Sequence, residues 1–309
     1  GKLKVYATND KQKGKLIALR RPVTIRDLLT HTSGLTYHFT QYGPVEEMYR
    51  KKKVASFKPL DEFVHDLLTL PLSFQPGTRF RYSFAHDVVA RLVEIISGQR
   101  FDEYLREHIL EPLQMNDTGF FVPKEKRSRL ASMYGTMDII NPKTTATALW
   151  KDVETKGTNL IAGQSEGIET KEHPVCRGGH GLVSTASDYY KFCRMLLNHG
   201  RFEGNQLLSP KTIELMTSNH LLPDLLPFEI RNVEQPGYGY GLGVRVLMDV
   251  GQVQTLGSPG EFGWSGAANT YFWIDPVEQM IRIVLAQFQP NNYYPLSQDF
   301  RVTAYQASV

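Results

Sequence analysis

The sequence predicts an α+β fold, in which a helical region is followed by an antiparallel sheet and a terminal helix. Apolar residues recur at helical spacing from about residue 24 to residue 226. Beyond Pro236 the pattern changes to apolar strands joined by turns, and a last amphipathic segment runs from about Pro295 to Gln306. The sequence contains no internal repeat, so we expect one domain over residues 1–309, with its sheet part at about 237–309.

The helices of the first part are marked by their end signals as much as by their apolar spacing. Thr24 and Asp27 form a capping-box pattern ahead of the first helix, which stops before Gly34. Later helices are predicted at about Leu60–Leu70, Ser83–Ser97, Phe101–Leu110, Ser187–Asn198 and from Ser209-Pro210 onward.

The sheet part is predicted to form an antiparallel meander. Its strands are expected at Tyr238–Met248, Glu261–Ala267, Asn269–Ile274 and Ile281–Phe288. The last of these is almost entirely apolar, which suits a strand with a neighbour on each side. At the end of a meander its outer edge is bare, so we expect a further strand or another chain to cover it.

Composition excludes several classes of function. The 309 residues contain 35 Lys plus Arg and 32 Asp plus Glu, for a net charge of +3. This small charge does not indicate a nucleic-acid-binding protein. The densest basic run, Arg50–Lys53, is interpreted as a solvated turn. No apolar run approaches the ~18 residues of a membrane span, so a soluble protein is expected, with a preference for the cytoplasm. Cys176 and Cys193 lack metal-type spacing, and no metal or other cofactor is expected.

Five motifs follow one another in an order that is specific to one group of serine hydrolases. They are Leu28–Leu35 (LLTHTSGL), Tyr82-Ser83, Ile109–Thr118 (ILEPLQMNDT), Gly178–Thr185 (GGHGLVST) and Gly260–Gly266 (GEFGWSG). The series resembles the class C-like β-lactamases and penicillin-binding proteins, and most closely the family VIII carboxylesterases. The resemblance covers essentially the whole chain and implies a β-lactamase/transpeptidase-like fold.

The resemblance also implies an acyl-enzyme mechanism and assigns roles to residues of this chain. Tyr82 matches the tyrosine that shares proton transfer with a Ser-x-x-Lys pair. Trp264, Ser265 and Gly266 match the strand motif that lines the opposite wall of the site. The N–H of Ala267 then corresponds to one donor of the oxyanion hole, in which preorganised donors stabilise the developing negative charge.

Two departures from the family pattern bear on the substrate. The family's Tyr-x-Asn becomes Tyr82-Ser83-Phe84, so the amide that grips a β-lactam is lost, although Ser83 and Phe84 are still expected beside the substrate. The lysine of the family's Lys-Thr-Gly becomes Trp264, which removes a cation that meets a substrate carboxylate. Both changes favour small neutral esters over β-lactams.

A third departure concerns the nucleophile, because this sequence contains no Ser-x-x-Lys. In the resembled family that motif lies upstream of the segment matched by His31–Gly34, on the segment that also supplies two strands beside the last strand of the sheet. We therefore expect the serine and lysine on sequence outside this chain, and a complementing N-terminal segment or second chain along Ile281–Phe288. This chain alone is expected to be inactive.

Other interpretations compete with a hydrolase of this type. One alternative is that this chain is a binding or regulatory protein that keeps the cleft of the family but lacks its catalytic residues. A β-lactamase or a D-Ala-D-Ala peptidase is a less favoured alternative. Gly163–Gly167 fits the G-x-S-x-G pattern around Ser165, but it has neither the strand nor the helix that a nucleophile elbow needs. His31 and His38 flank a glycine turn without an acidic partner, so a structural role is expected for both.

Overall fold

A computed structural model describes residues 3–7, 14–40, 43–56, 58–135, 151, 153–154, 159–162 and 176–307. Its first part is mainly helical, as the periodicity predicts. The helices are α1 (Ile25–Leu29), α2 (Pro44–Lys51), α3 (Leu60–Leu68), α4 (Ala85–Ser97), α5 (Phe101–Leu105, continued as a π-turn over Arg106–Leu110), α6 (Ala186–Leu197), α7 (Pro210–Met216), α8 (Val250–Val253) and α9 (Leu296–Gln306). None of the helices in these ranges is both long and apolar enough to cross a membrane.

The helix ends follow the side-chain signals of the sequence. Thr24 caps α1 and forms the capping box with Asp27, and the Thr185 and Ser209 side chains cap α6 and α7 by accepting hydrogen bonds from main-chain N–H groups of the first turn. Gly98 ends α4 in the left-handed conformation, with φ 74°, which an L-residue adopts only at a cost. These helices therefore begin and end within a few residues of their predicted bounds.

Helix α2 is an element that the sequence pattern did not indicate. Arg50 and Lys51, predicted in a solvated turn, form its last turn, where cations interact favourably with the helix dipole. Only Val45, Glu46 and Tyr49 of α2 are buried, so its apolar stripe is too thin to stand out from a polar stretch. The interpretation of the basic run as a turn is correct only for Lys52 and Lys53.

The second part of the chain forms an antiparallel sheet of five strands in the order β13-β12-β11-β10-β9. The strands are β9 (Tyr238–Tyr240), β10 (Arg245–Leu247), β11 (Phe262–Ser265), β12 (Thr270–Asp275) and β13 (Met280–Leu285). The predicted strand Tyr238–Met248 is thus two strands joined by a turn, because Gly241 and Gly243 lie in its middle. The α+β class and the meander are confirmed.

Smaller sheets lie outside the meander. Their strands are β1 (Lys4–Tyr6), β2 (Leu16–Ala18), β3 (Met133–Gly135), β4 (Asn159–Ala162), β5 (Arg201–Phe202), β6 (Asn205–Gln206), β7 (Glu229–Ile230), β8 (Val233–Glu234) and β14 (Phe288–Gln289). The sheet β14-β3-β4 contains a parallel pair, β14 with β3, that brings together residues more than a hundred positions apart. Periodicity carries no information on such a pairing.

The predicted strand Ile281–Phe288 is interrupted, because β13 ends at Leu285 and β14 joins the other sheet. Strand β13 pairs with β12 on one side, and no described strand pairs with its other side. The expected cover along this edge therefore stays a prediction.

The described residues form two large apolar cores and a smaller cluster around Leu221, Phe228 and Tyr240. One lies among α1 to α4 and contains the fully or almost fully buried Tyr49, Phe63, Leu67, Leu72 and Phe84. The other fills the space between α6, α7 and the sheet and contains Leu113, Met195, Phe262, Phe272 and Ile274. Burying each such side chain contributes about 1.5–3 kcal/mol before the entropic cost of ordering it is counted. Trp264 packs against the second core.

A buried charged cluster joins α9 to the sheet. Glu261 accepts hydrogen bonds from Arg282 at 2.9 Å and from Arg301, and the Tyr305 hydroxyl accepts from Arg282 at 2.6 Å and donates to Asp275. All four charged side chains are almost completely buried. Because buried ions are tolerated only when they are paired, this cluster fixes how α9 docks.

Candidate active site

Tyr82 lies at the entrance to α4, where the main chain is held on both sides. The N–H of Arg81 donates to the His31 carbonyl at 2.8 Å, and the N–H of Phe84 donates to the Thr36 carbonyl at 3.4 Å. The Ser83 hydroxyl also lies 3.2 Å from Nδ1 of His31. The loop that follows α1 therefore fixes the backbone from which the Tyr82 ring projects.

The Tyr82 ring lies among aromatic side chains from distant parts of the sequence. Its centroid is 4.8 Å from that of His31, 5.2 Å from that of Tyr37 and 5.5 Å from that of Trp264. Tyr240 of β9 contacts both His31 and Trp264. The structure thus brings together the predicted site residues Tyr82 and Trp264, at the junction between the helical part and the sheet.

The surroundings of Tyr82 favour its neutral phenol. Burial raises the pKa of Tyr82, while hydrogen-bonding contacts from the Trp264 and Tyr37 side chains and the charge of Arg231 oppose that rise. Arg231 lies at the tip of the β7–β8 hairpin, with its guanidinium 4.9 Å from the centre of the Phe39 ring. A phenol in this state can accept or donate a hydrogen bond, but it needs a nearby cation to act as a base at neutral pH.

The turn between β11 and β12 supplies the second side of the site. Ser265 and Ala267 are exposed, and the N–H of Gly266 donates to the Thr270 carbonyl at 2.7 Å. A side chain at residue 266 has no room, because its Cβ would stand 2.2 Å from Oγ1 of Thr270. No described residue accepts a hydrogen bond from the N–H of Ala267, which therefore remains able to donate to a bound group.

Two of the predicted site residues have buried side chains. Ser83 is 0% exposed and bonded to His31, and Phe84 is 4% exposed among Tyr37, Tyr49 and Phe63. Both belong to the core under α4, and the expectation that they lie beside the substrate stays a prediction. Phe84, which occupies the position of the asparagine in the family's Tyr-x-Asn, faces inward, so the loss of a polar side chain there does not by itself create an apolar wall.

Asp87 is a site residue that the sequence analysis did not single out. Its carboxylate is fully buried in the first turn of α4, and Oδ1 accepts a hydrogen bond from the N–H of Gly179 at 3.4 Å. A Cβ on Gly179 would stand 3.0 Å from Oδ2 of Asp87 and 3.1 Å from the Tyr37 hydroxyl. Burial raises the pKa of Asp87 to about 6, against an opposing attraction from Arg177. Asp87 therefore ties the Gly178–Thr185 motif to the first turn of α4, with Gly179 packed close to the Tyr37 hydroxyl.

The histidines act as packing residues in this arrangement. His31 adopts a φ of 55° and is almost fully buried against His86, with ring centroids 4.4 Å apart. Burial and the neighbouring His86 hold the pKa of His31 well below its usual range, so its ring is neutral. Within the described residues, no group of three His, Cys, Asp or Glu side chains is arranged to hold a metal ion. Ser165 and its G-x-S-x-G pattern lie outside the described residues.

Comparison with known proteins identifies the same superfamily. The family model described as beta-lactamase matches residues 16–305. Protein Rv1367c of Mycobacterium tuberculosis is 33% identical over 282 residues, which are 88% of this chain and 64% of that protein. The lovastatin esterase of Penicillium rubens is 29% identical over 271 residues, covering 82% of this chain and 61% of that enzyme. This chain therefore spans just under two thirds of the length of these relatives.

A solved structure extends the agreement to three dimensions. EstCE1, described as a hydrolase with promiscuous acyltransferase activity, superposes with a TM-score of 0.75 at 25% identity, covering 93% of this chain and 73% of EstCE1. The β-lactamase/transpeptidase-like fold and the resemblance drawn from the five motifs are confirmed. Members of this family include serine hydrolases and acyltransferases.

Proposed function

The chain belongs to the beta-lactamase family, and on that premise we propose that it is the greater part of a serine ester hydrolase that works through an acyl-enzyme. The observation that carries this proposal is the contact between Tyr82 and Trp264, beside a turn whose Ala267 N–H has no described partner. The nucleophilic serine and its activating lysine would lie on sequence outside this chain, since Ser-x-x-Lys is absent from its 309 residues.

The proposed chemistry is acyl transfer in two balanced steps. The serine Oγ attacks the ester carbonyl carbon and gives its proton to the lysine–Tyr82 pair, while the Ala267 N–H donates to the developing oxyanion. The C–O bond to the alcohol breaks, and the alcohol leaves with that proton. Water then attacks the acyl carbonyl carbon and gives a proton to the same pair, the bond between that carbon and the serine Oγ breaks, and the serine takes up the proton as the acid is released. In this scheme the lysine ammonium supplies the cation that Tyr82 needs to exchange protons near neutral pH.

The substrates proposed are small neutral esters. Trp264 stands where the β-lactamases of this family carry a lysine, so the wall that meets the substrate is aromatic and uncharged at this point. The similarity to a lovastatin esterase and to a hydrolase with promiscuous acyltransferase activity supports an ester as the substrate class.

The proposal includes a complementing element along β13. The open edge of β13 consists mainly of apolar residues, and such edges attract further strands. An N-terminal segment of a longer protein, or a second chain, would pair there and carry the nucleophile. The alternative is a binding or regulatory protein without catalysis, and the absence of Ser-x-x-Lys from this sequence is the observation that favours it.

A fluorophosphonate probe, which labels activated serines, tests the proposal. The protein encoded by the complete reading frame should be labelled on a serine outside these 309 residues, and this chain alone should take no label. Tyr82→Phe should slow labelling by about 10²–10⁴-fold, the usual contribution of a positioned acid–base group. Tyr190→Phe, at a tyrosine that is 45% exposed on α6, is the matched control and should label at the normal rate.

Two outcomes would contradict parts of this proposal, the first the placement of the serine outside the chain and the second the hydrolase itself. Stoichiometric labelling of the isolated chain would show a complete nucleophilic site within it. Absence of labelling in the complete protein, with both tyrosine variants folded, would favour the binding protein.

A further inference from the structure

Asn269 occupies an unusual place in the β11–β12 turn. It follows Ala267 by two residues, is only 3% exposed and adopts the left-handed conformation with φ 60°. Residues at such exposed hairpin turns are commonly glycine or solvated asparagine. A buried asparagine at this position indicates that its carboxamide has a structural task.

The carboxamide of Asn269 makes every hydrogen bond that it can make. Nδ2 donates to the Phe288 carbonyl at 2.7 Å and to the Pro290 carbonyl at 3.2 Å. Oδ1 accepts from the Tyr271 hydroxyl at 2.8 Å and from the Asn292 N–H at 3.0 Å. Two donors and two lone pairs are the full capacity of this group, so it is held in one orientation.

The main chain of the turn is tied to the same neighbouring segment. The N–H of Phe288 donates to the Ala268 carbonyl and the N–H of Ala286 donates to the Asn269 carbonyl, each at 3.2 Å. Phe288 also belongs to β14, which pairs with β3. The segment 286–292 is therefore a support for the turn, and Asn269 is the side chain that joins the two.

We propose that Asn269 is a positioning residue that holds the Ala267 N–H in the orientation in which it stabilises the oxyanion. This inference rests on the proposed hydrolase. An oxyanion donor is effective only if it is already oriented when charge develops. Ser265 and Ala267 are exposed and Gly266 has no side chain, so none of the three can anchor the turn through buried side-chain contacts. The anchor lies instead two residues after Ala267, at Asn269.

The first test measures amide hydrogen exchange on this chain. Asn269→Gly keeps the left-handed backbone but removes the carboxamide, and should speed exchange of the Asn292, Ala286 and Phe288 amides by about tenfold or more, while Ile274 and Ile283 stay protected. Asn269→Asp keeps the acceptor but places a carboxylate oxygen against the Phe288 and Pro290 carbonyls, so it should also speed exchange of these amides. Unchanged exchange in the glycine variant would overturn the anchoring role.

Gln279→Gly is the matched control. Gln279 lies in the turn at the other end of β12, also adopts a left-handed φ of 51°, and uses its amide to hold a main-chain carbonyl, that of Pro276, at 2.7 Å. The same substitution there should leave exchange of the 286–292 amides unchanged. A similar increase in both variants would show general loosening of the sheet and count against Asn269.

The second test measures turnover of a p-nitrophenyl ester by the protein of the complete reading frame. Asn269→Gly should lower kcat about tenfold to hundredfold with KM changed by less than about twofold, because the donor acts mainly in the transition state. Faster exchange with an unchanged kcat would overturn the positioning role. A wild-type protein without turnover would refute the proposed hydrolase, whereas the exchange experiment would still decide whether Asn269 anchors the turn.

Discussion

The two walls of the candidate site are made rigid in different ways. The α4 wall carries Tyr82 on a backbone whose next two side chains, Ser83 and Phe84, are buried in the helical core. The β11–β12 wall has an exposed turn at Ser265 and Ala267, held by the hydrogen bonds of Asn269. Apolar packing holds many residues at once without specific geometry, whereas a saturated amide fixes one turn in one orientation. The comparison implies that the α4 wall loses its structure only when the whole fold is lost, whereas the β11–β12 turn can become mobile without unfolding the rest of the chain.

The largest expected effect that tests this comparison is on stability. Phe84→Ala should lower the free energy of unfolding of the chain by about 3–5 kcal/mol, because it opens a cavity in the helical core. Ser265→Ala on the exposed wall should change it by no more than about 0.5 kcal/mol. Urea unfolding monitored by circular dichroism measures both. Equal effects of the two substitutions would show that the walls do not differ as described.

A smaller effect concerns the pH dependence of the α4 wall. Burial raises the pKa of Asp87 from 3.8 to about 6, so the folded state binds this proton more tightly than the unfolded chain does. Its contribution to stability is present below about pH 4 and is lost as the pH rises through about 6. The loss is up to about 3 kcal/mol.

Asp87→Asn removes this titration while keeping an acceptor for Gly179. The difference in unfolding free energy between wild type and variant, measured at pH 4 and again at pH 7, cancels the other groups. The wild type should lose stability relative to the variant as the pH rises. A difference that does not change with pH, or one of opposite sign, would show that Asp87 titrates normally.

Sequence alone predicts the parts of this molecule that local chemistry determines. The Thr24 cap, Gly98 as the end of α4, and strands β11 and β12 agree with the prediction because their signals lie within a few residues. Helix α2 was not predicted because it buries few apolar residues. The pairing of β14 with β3 was not predicted because it joins segments that are distant in the sequence. Motif order brought Tyr82 and Trp264 to one site, but it could not show that Ser83 and Phe84 point inward.

Asp87 and Asn269 were missed for a related reason. Their importance comes from burial and from partners on other segments, Gly179 for one and Phe288 with Asn292 for the other. An aspartate in the first turn of a helix, or an asparagine in a hairpin, has an ordinary local explanation. Only the three-dimensional arrangement separates these two from the many polar residues that serve as caps and turns.

The smallest expected effect on activity is that of substituting Ser165, which lies in a G-x-S-x-G pattern. If Ser165 were the nucleophile, neither wall of the candidate site would take part in the reaction. Ser165→Ala in the protein of the complete reading frame should leave ester hydrolysis and fluorophosphonate labelling unchanged. The surrounding sequence predicts neither the strand nor the helix of a nucleophile elbow. A folded Ser165→Ala protein that lost activity by several orders of magnitude would overturn the mechanism proposed for Tyr82 and Ala267.

The buried charged cluster has a consequence for the order in which the chain assembles. Arg301 is the one fully buried residue of α9, and its partner Glu261 stands just before β11, while Tyr305 meets Arg282 of β13 and Asp275 of β12. These partners are neighbours only after the three strands have paired. A shift of α9 by one residue would leave buried charges unpaired, a penalty of about 3–5 kcal/mol. The last helix thus has a single register in which these buried charges are paired, and that register requires the aligned strands of the completed sheet.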